Sequence, residues 1–386
     1  MLQFPIYLDN SATTPVDPRV VDSMLPYLRE QYGNPASSTH AYGRVTRIAV
    51  EQARDEVAAL VGASSRDVVW TSGATESNNL ALKGAAAACA GRGRHLVTVA
   101  TEHKAVLDTM QHLEQQGYEI TYLAPGPDGL LDLDVFRAAL RPDTVLASVM
   151  LVNNEIGVIQ DVAALGTACR ERGIVFHVDA AQATGKVAID LARLPVDLMS
   201  LTAHKTYGPK GIGALYVRRE SRLRLEAQMH GGGHERGLRS GTLAAHQIVG
   251  MGTCFRLARE EMAAEVPRMK RLRDRLWAAL ADLPEVRVNG SMERRIANNL
   301  NVTVALDAGD TLLDKLTDIA ISSSSACSSA AAIPSHVLQA LGPASTAGTA
   351  MRITVGRCNT DEEIEYAAAY LRRHIVESRG GARLVR

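Results

Sequence analysis

The sequence predicts an α/β fold, a mostly parallel sheet with helices on both faces, joined to a smaller α+β domain. Two observations carry this. From Arg94 to about Glu220, strand-length apolar runs alternate with helical segments over short connections, which is the pattern of successive strand–helix–strand crossovers. Four polar clusters also close the apolar runs: TEH at 101–103, NNE at 153–155, DAAQ at 179–182 and TAHK at 202–205. Open α/β sheets gather their chemistry beyond the carboxyl ends of parallel strands, so four such clusters imply one crevice.

The elements follow in order. Residues 6–9, IYLD, read as a short strand and NSATTP as a polar turn. VDPRVVDSMLPYLREQYGN has helical apolar spacing, with Pro18 near its start. Residues 31–43, QYGNPASSTHAYG, are loop. Over 44–61 the residues Val45, Ile48, Ala49, Ala53, Val57 and Leu60 recur on one face, which predicts a helix packed on the core by that face. VVW after Asp67 is a strand, SGAT a tight turn and ESNNLALKGAAAA a helix. The free amides at such a helix start suit an anion. HLVTVA, YEITYLA, TVLASVMLV, IVFHVDA, VDLMSLTAHK and GIGALYVRRE read as strands. EHKAVLDTMQHLEQQG, residues 134–140 and VAALGTACRERG read as the helices between them.

Residues 228–242, QMHGGGHERGLRSGT, read as a flexible glycine-rich loop. A long helix follows over about 243–281, bent or broken at Pro267. Then come the strands VRVNG, NNLNVTVAL and MRITVGR and the helices DTLLDKLTD and DEEIEYAAAYLRRHIV. Between them ISSSSACSSAAAIPSHVLQALG is a Ser/Ala loop that enters a helix through Pro334, and residues 378–386 fray. The expected division is a large domain at 15–254 and a small one made of 1–14 and 255–386.

Size and composition bound the function. The 386 residues are enough for a large domain and a smaller one. With 42 basic and 42 acidic residues the formal net charge is zero, so no direct nucleic-acid partner is expected. Five cysteines without a CxxC pair make neither a disulfide framework nor a zinc site, and no metal is expected. The start, MLQFPIYLDNSATTP, lacks the features of a signal peptide, and no apolar run is long enough to span a membrane. A soluble cytoplasmic protein is the expectation.

Asp179 ends one strand and Lys205 a nearby one. That pair suits pyridoxal phosphate, whose aldehyde condenses with an amine and whose ring nitrogen pairs with a carboxylate. On those two residues alone the bland reading is stronger, since Asp ends many strands and a lysine before TYGPKG suits a solvated turn. The wider pattern decides between them. YLDNSATTP, YGNPASSTH, TSGATESNN, TEHKAV, VNNEIGV, HVDAAQATGK, SLTAHKTYGPKG, GGGHERGLRSGT and SSSSACSS occur in that order. Together they resemble the class V aminotransferase family, and within it the group I cysteine desulfurases of the NifS/IscS type.

The resemblance implies the type I fold of pyridoxal-phosphate enzymes, with a seven-stranded, mostly parallel sheet. It implies Lys205 as the Schiff-base lysine, Asp179 on the pyridinium nitrogen and Gln182 on the phenolic oxygen. Gly73, Ala74, Thr75, Thr202 and His204 would hold the phosphate, and Thr242 would reach the phosphate of the partner subunit in a homodimer. His103 would stack on the ring and serve as acid and base. Asn154 would contact both cofactor and substrate, and Arg352 would clamp the substrate carboxylate, assisted by Asn34 from the first loop. Cys327, in a loop at about 322–334, would take sulfur from L-cysteine as a persulfide, leave L-alanine, and pass the sulfur to an acceptor protein. The family loop is closer to SSGSACTS; Ser324 and Ser328 stand here for its glycine and threonine. Cys89, Cys169, Cys254 and Cys358 are expected to be inert packing residues. Selenocysteine lyase, cysteine sulfinate desulfinase, class V aminotransferase and an inactive assembly scaffold stay open at this point. So does the destination of the sulfur: iron–sulfur assembly, tRNA thiolation or DNA phosphorothioation.

Overall fold

The computed structural model describes residues 2–221, 223–306, 312–323 and 335–381. The chain opens with β1 (Ile6–Tyr7), α1 (Pro18–Arg29) and α2 (Ala41–Leu60). The crossover region then runs β2 (Val68–Thr71), α3 (Ala74–Cys89), β3 (His95–Val99), α4 (Lys104–Gln115), β4 (Glu119–Leu123), α5 (Leu133–Ala139), β5 (Thr144–Ser148), α6 (Val162–Glu171), β6 (Val175–Asp179), β7 (Leu198–Thr202) and β8 (Gly213–Val217). Seven of these strands form one sheet in the order β2-β8-β7-β6-β5-β3-β4. Only β8 runs against its neighbours β2 and β7; the other pairings are parallel. Most of these strands are buried along their whole length, as a sheet covered on both faces requires. Gly213 lets β8 press against the turn after β2, because a side chain there would meet Gly73 Cα at 2.6 Å.

The remainder runs α7 (Ala245–Ala278), β9 (Val286–Val288), β10 (Asn299–Val304), α8 (Leu312–Lys315), β11 (Ile319–Ala320), β12 (Ser322–Ser323), α9 (His336–Leu341), α10 (Pro343–Thr346), β13 (Thr349–Thr354) and α11 (Asp361–Gly381). A four-stranded antiparallel sheet, β12-β13-β10-β9, carries its own apolar core, which includes Ile6 and Leu8 from the start of the chain. β1 pairs with β11 to bring them there. α7 serves both cores. Ile248, Met251 and Phe255 pack with the large sheet, and Leu272 and Leu276 pack with the small one.

Several sequence readings need correction. α7 is not broken at Pro267; the helix runs through the proline, which lacks only one amide donor. α11 continues to Gly381 rather than ending at residue 376, and residues 382–386 lie outside the described residues. α2 begins at Ala41, inside the expected loop, because His40 caps it through Nδ1 to the amide of Gly43. Its buried face is Thr46, Ala49, Val50, Ala53, Arg54, Val57 and Ala58. Val45 and Ile48 instead face outward, 43% and 58% exposed. The buried stripe is the one that α7 approaches closely, since a side chain at Gly252 would strike Ala53.

The 228–242 segment is pinned rather than free. Glu235 sits buried with positive φ and takes both Arg54 Nη atoms at 2.7 and 2.9 Å. The same carboxylate accepts the Trp70 amide of β2 at 2.8 Å. The Arg54 guanidinium also lies over the Trp70 ring at 5.2 Å. Arg239 fixes the other end of the segment on Glu76 of α3 at 2.8 Å. Removing one half of a buried ion pair strands the other. Arg54→Met is therefore expected to cost about 3–5 kcal/mol of folding stability, read as a lowered urea midpoint. A loss below about 1 kcal/mol, the range of exposed pairs, would contradict the buried clamp.

Candidate active site

The carboxyl ends of β2, β3, β5, β6 and β7 and the N-terminal loop enclose one crevice of about 650 Å³. Gly73, Ala74, Thr75, His103, Asn154, Asp179, Gln182, Thr202, His204, Lys205 and Arg352 all line it. Asp179 is the last residue of β6, so its carboxylate emerges where the strand stops. Asn78 of α3 donates to Oδ2 at 2.8 Å and the Ala181 amide to Oδ1 at 2.9 Å. Both oxygens are thus held, and the group is oriented by protein donors rather than by water.

Lys205 follows β7 and turns back into the crevice. Its Nζ donates to the carbonyls of Ser11 at 2.5 Å and Ala12 at 2.6 Å. Among the described residues no carboxylate touches it. Burial, with Arg352 nearby, lowers its pKa to about 8, against smaller opposing effects of Asp9 and Asp179. His204 shares the desolvation and faces Lys205, Lys210 and Lys186, which brings its pKa to about 4. It meets Thr13 Oγ1 at 3.1 Å.

His103 caps α4. Its Nδ1 accepts the Ala105 amide at 3.0 Å, which leaves the proton of the neutral ring on Nε2. Partial withdrawal from water lowers its pKa, and Lys205 and His336 add to this while Asp179 opposes. Arg352 of β13 is fixed by the Asn154 carbonyl at 3.0 Å, Asp9 Oδ1 at 2.8 Å and Ser322 Oγ at 2.9 Å. At the other end of the crevice α3 starts at Ala74 after Gly73, with no side-chain cap. Its first amides lack intrahelical acceptors.

A family model for class V aminotransferases matches residues 6–367. The chain belongs to the class V aminotransferase family. A cysteine desulfurase IscS of Methylococcus capsulatus is 63% identical over 379 residues, covering 98% of this chain and 94% of that protein. A NifS-like protein of known structure superposes with a TM-score of 0.89 at 36% identity, over 96% of this chain and 98% of its own. SspA in complex with cysteine gives a TM-score of 0.80 at 36% identity, over 91% of this chain and 98% of its own.

The site fits the family's cofactor, pyridoxal 5′-phosphate, on structural grounds. Among the described residues, Ser11 Oγ, Asn78 Oδ1, Asn154 Oδ1, Gln182 Oε1 and Arg352 Nε are buried polar atoms without a protein partner. All five belong to residues lining this crevice. Buried polar groups need partners, so this lining is made for a polar ligand. A helix start for an anion, a carboxylate and a buried amine meet within it.

Three expected site residues are not brought together here. Asn34 is exposed and uses its Oδ1 on the Ala36 amide in a local turn, outside the crevice. Thr242 is exposed and does not line this chain's crevice. Cys327 lies outside the described residues, as do Ser324, Ser328 and Pro334. The expectation that the other four cysteines are packed away holds for Cys89, Cys169 and Cys254, but Cys358 is exposed, in the turn after β13. Sequence reasoning also missed the N-terminal loop. Ser11, Ala12 and Thr13 supply acceptors to Lys205 and His204, and Asn78 orients Asp179. The polar turn NSATTP was the one available sign.

The lowered Lys205 pKa is directly testable. In cofactor-free protein, acylation of Lys205, followed by mass spectrometry of its peptide, is expected to rise with a midpoint near pH 8. A midpoint at or above the ordinary lysine value of 10.5 would show a solvated amine. The sign for stability follows. Between about 8 and 10.5 the unfolded chain holds this proton and the folded chain does not, so Lys205 makes stability rise with pH across that window.

Proposed function

We propose that the protein is a pyridoxal-phosphate-dependent cysteine desulfurase that converts L-cysteine to L-alanine and carries the sulfur on Cys327. The observation that carries this reading is the Lys205 amine, half-buried without a contacting carboxylate among the described residues and placed in one crevice with Asp179 and Arg352. The high identity to a cysteine desulfurase over nearly the whole chain supports the substrate, and the motif SSSSACSS supports the nucleophile.

Lys205 supplies the amine that holds the cofactor and a base for the substrate Cα proton, both of which need the uncharged form. Asp179 would serve the ring nitrogen as a fixed acceptor. Thr75, Thr202, His204 and the first amides of α3 would hold the phosphate, and Gln182 and Asn154, whose side-chain oxygens have no protein partner, would meet the ring and the substrate. When bound, pyridoxal phosphate supplies an aldehyde for amines and a ring that takes up negative charge from Cα. Arg352 receives the substrate carboxylate through its unpaired Nε, while Asp9 and Asn154 keep the guanidinium in place. His103 keeps its proton on Nε2 and can accept a thiol proton only by releasing Nδ1 from the α4 cap.

The Cys327 thiolate attacks the substrate sulfur; the carbon–sulfur bond breaks, and the sulfur stays on the enzyme as a persulfide for an acceptor thiol. Ser322, hydrogen-bonded to Arg352, lies five residues before Cys327, so the chain between them spans at most about 18 Å. We also read the two apolar cores as the domains 15–254 and 1–14 with 255–386, and the assembly as a homodimer. Outward-facing Tyr32, Tyr42, Val45 and Ile48 support a second copy on this face, and the exposed Thr242 is free to reach a neighbour.

Cys327→Ser should still bind cofactor and cysteine, yet lose at least about 10²-fold in alanine formation, the lower range for a positioned catalytic group. Full turnover in this variant, or the added sulfur mass on Cys358 instead, would overturn the assignment. Ile48→Asp should halve the mass seen by light scattering. A dimer unchanged by that charge would place the subunit contact elsewhere.

A further inference from the structure

Lys186 closes the motif HVDAAQATGK, and the reaction above gives it no task. It sits at the end of the turn after β6 and is buried. Its Nζ donates to the carbonyl of Lys205 at 3.0 Å and to that of Gln182 at 3.3 Å. Burial, with the charge of Lys205 adding to it, lowers its pKa to about 7. Burying an ammonium with no carboxylate partner is costly. A methionine would fill similar space without that cost, so the donors themselves matter.

The surroundings show what the donors hold. On the crevice side, Lys205 Nζ and Gln182 Nε2 both donate to one atom, the Ser11 carbonyl oxygen, at 2.5 and 2.8 Å. On the far side, the backbone carbonyls of the same two residues both accept from Lys186. The two turns are also tied by Thr184 Oγ1 and Thr206 Oγ1 at 2.6 Å. Lys205 and Gln182 are thus framed from both sides. An amine engaged by the cofactor would give up the Ser11 carbonyl, and the Lys186 contact on the far side would still hold the Lys205 main chain.

We propose that Lys186 is a positioning residue, which clamps the carbonyls of Gln182 and Lys205 and so fixes the Lys205 amine relative to the Gln182 side chain. This rests on the reading of Lys205 as the lysine that holds the cofactor. The two residues would meet the cofactor at neighbouring atoms, so their spacing sets how it sits.

The test uses holoenzyme of the wild type, Lys186→Met and Lys186→Arg. It reads melting temperature, the absorbance of the bound cofactor, its rate of release to hydroxylamine, and kcat and KM separately. For Lys186→Met a shifted absorbance maximum is expected, with release faster by about tenfold and kcat lower by about 10²-fold at little changed KM, the scale of an ångström misplacement. Lys186→Arg, which keeps donors, is expected to restore the absorbance and most of kcat. Wild-type absorbance and kcat in Lys186→Met would overturn the clamp. So would a lowered melting temperature in both variants with an unchanged spectrum, since that is a purely structural lysine. If Lys186→Met does not fold, Lys186→Leu, which also lacks a donor, is read in the same way. Borohydride reduction separates the two levels of the argument. Cofactor found on another lysine in the wild type overturns the reading of Lys205 and the clamp with it; cofactor on Lys205 with unaffected variants overturns the clamp alone.

Discussion

The crevice depends on keeping an amine out of water without giving it a counter-ion. A lysine beside a carboxylate would be a settled cation and a poor nucleophile. Among the described residues the Lys205 amine meets main-chain carbonyls, those of Ser11 and Ala12, and the strongest charge acting against protonation is that of Arg352. Asp179 lies in the same crevice but is occupied by Asn78 and the Ala181 amide. The carboxylate and the amine are therefore neighbours without being partners. Carbonyl oxygens hold an ammonium weakly enough to release it, and that is the state an amine needs if it is to change partners repeatedly.

That arrangement explains why the N-terminal loop cannot be separated from the chemistry. Asp9 fixes Arg352, Ser11 receives both Lys205 and Gln182, and Thr13 meets His204. These contacts join residues between 171 and 343 positions apart. They were not legible in the sequence, because NSATTP has the composition of any polar turn. The positions of Asp179, Lys205, His103 and the SGAT turn were legible, because each stands where a strand stops or a helix begins, and those places are set by local pattern; their roles came from the family resemblance. The role of Asn34 came from resemblance alone, and in this chain its Oδ1 accepts the Ala36 amide.

The helix α2 shows the limit of periodicity. Its apolar residues occupy more than one stripe, and the pattern does not say which stripe meets the core. α7 decides it by approaching at Gly252, which leaves Val45 and Ile48 outside. Proline misled in the same way in α7, where Pro267 removes one hydrogen bond from a helix whose two ends are each anchored in a separate core. Packing at both ends offsets that loss.

The pairing of β1 with β11 has a consequence for how the chain is made. Ile6 lies opposite Ile319, and Leu8 is buried with residues beyond 350. The first strand emerges from the ribosome more than three hundred residues before its partner. At synthesis rates of about 5–20 residues per second, that is a delay of roughly 15–60 s. Throughout this time the apolar segment IYL has no sheet to join and stays open to chaperones. The carbonyls that receive Lys205 lie just behind it, so the crevice takes its final form only when the last third of the polypeptide has been released.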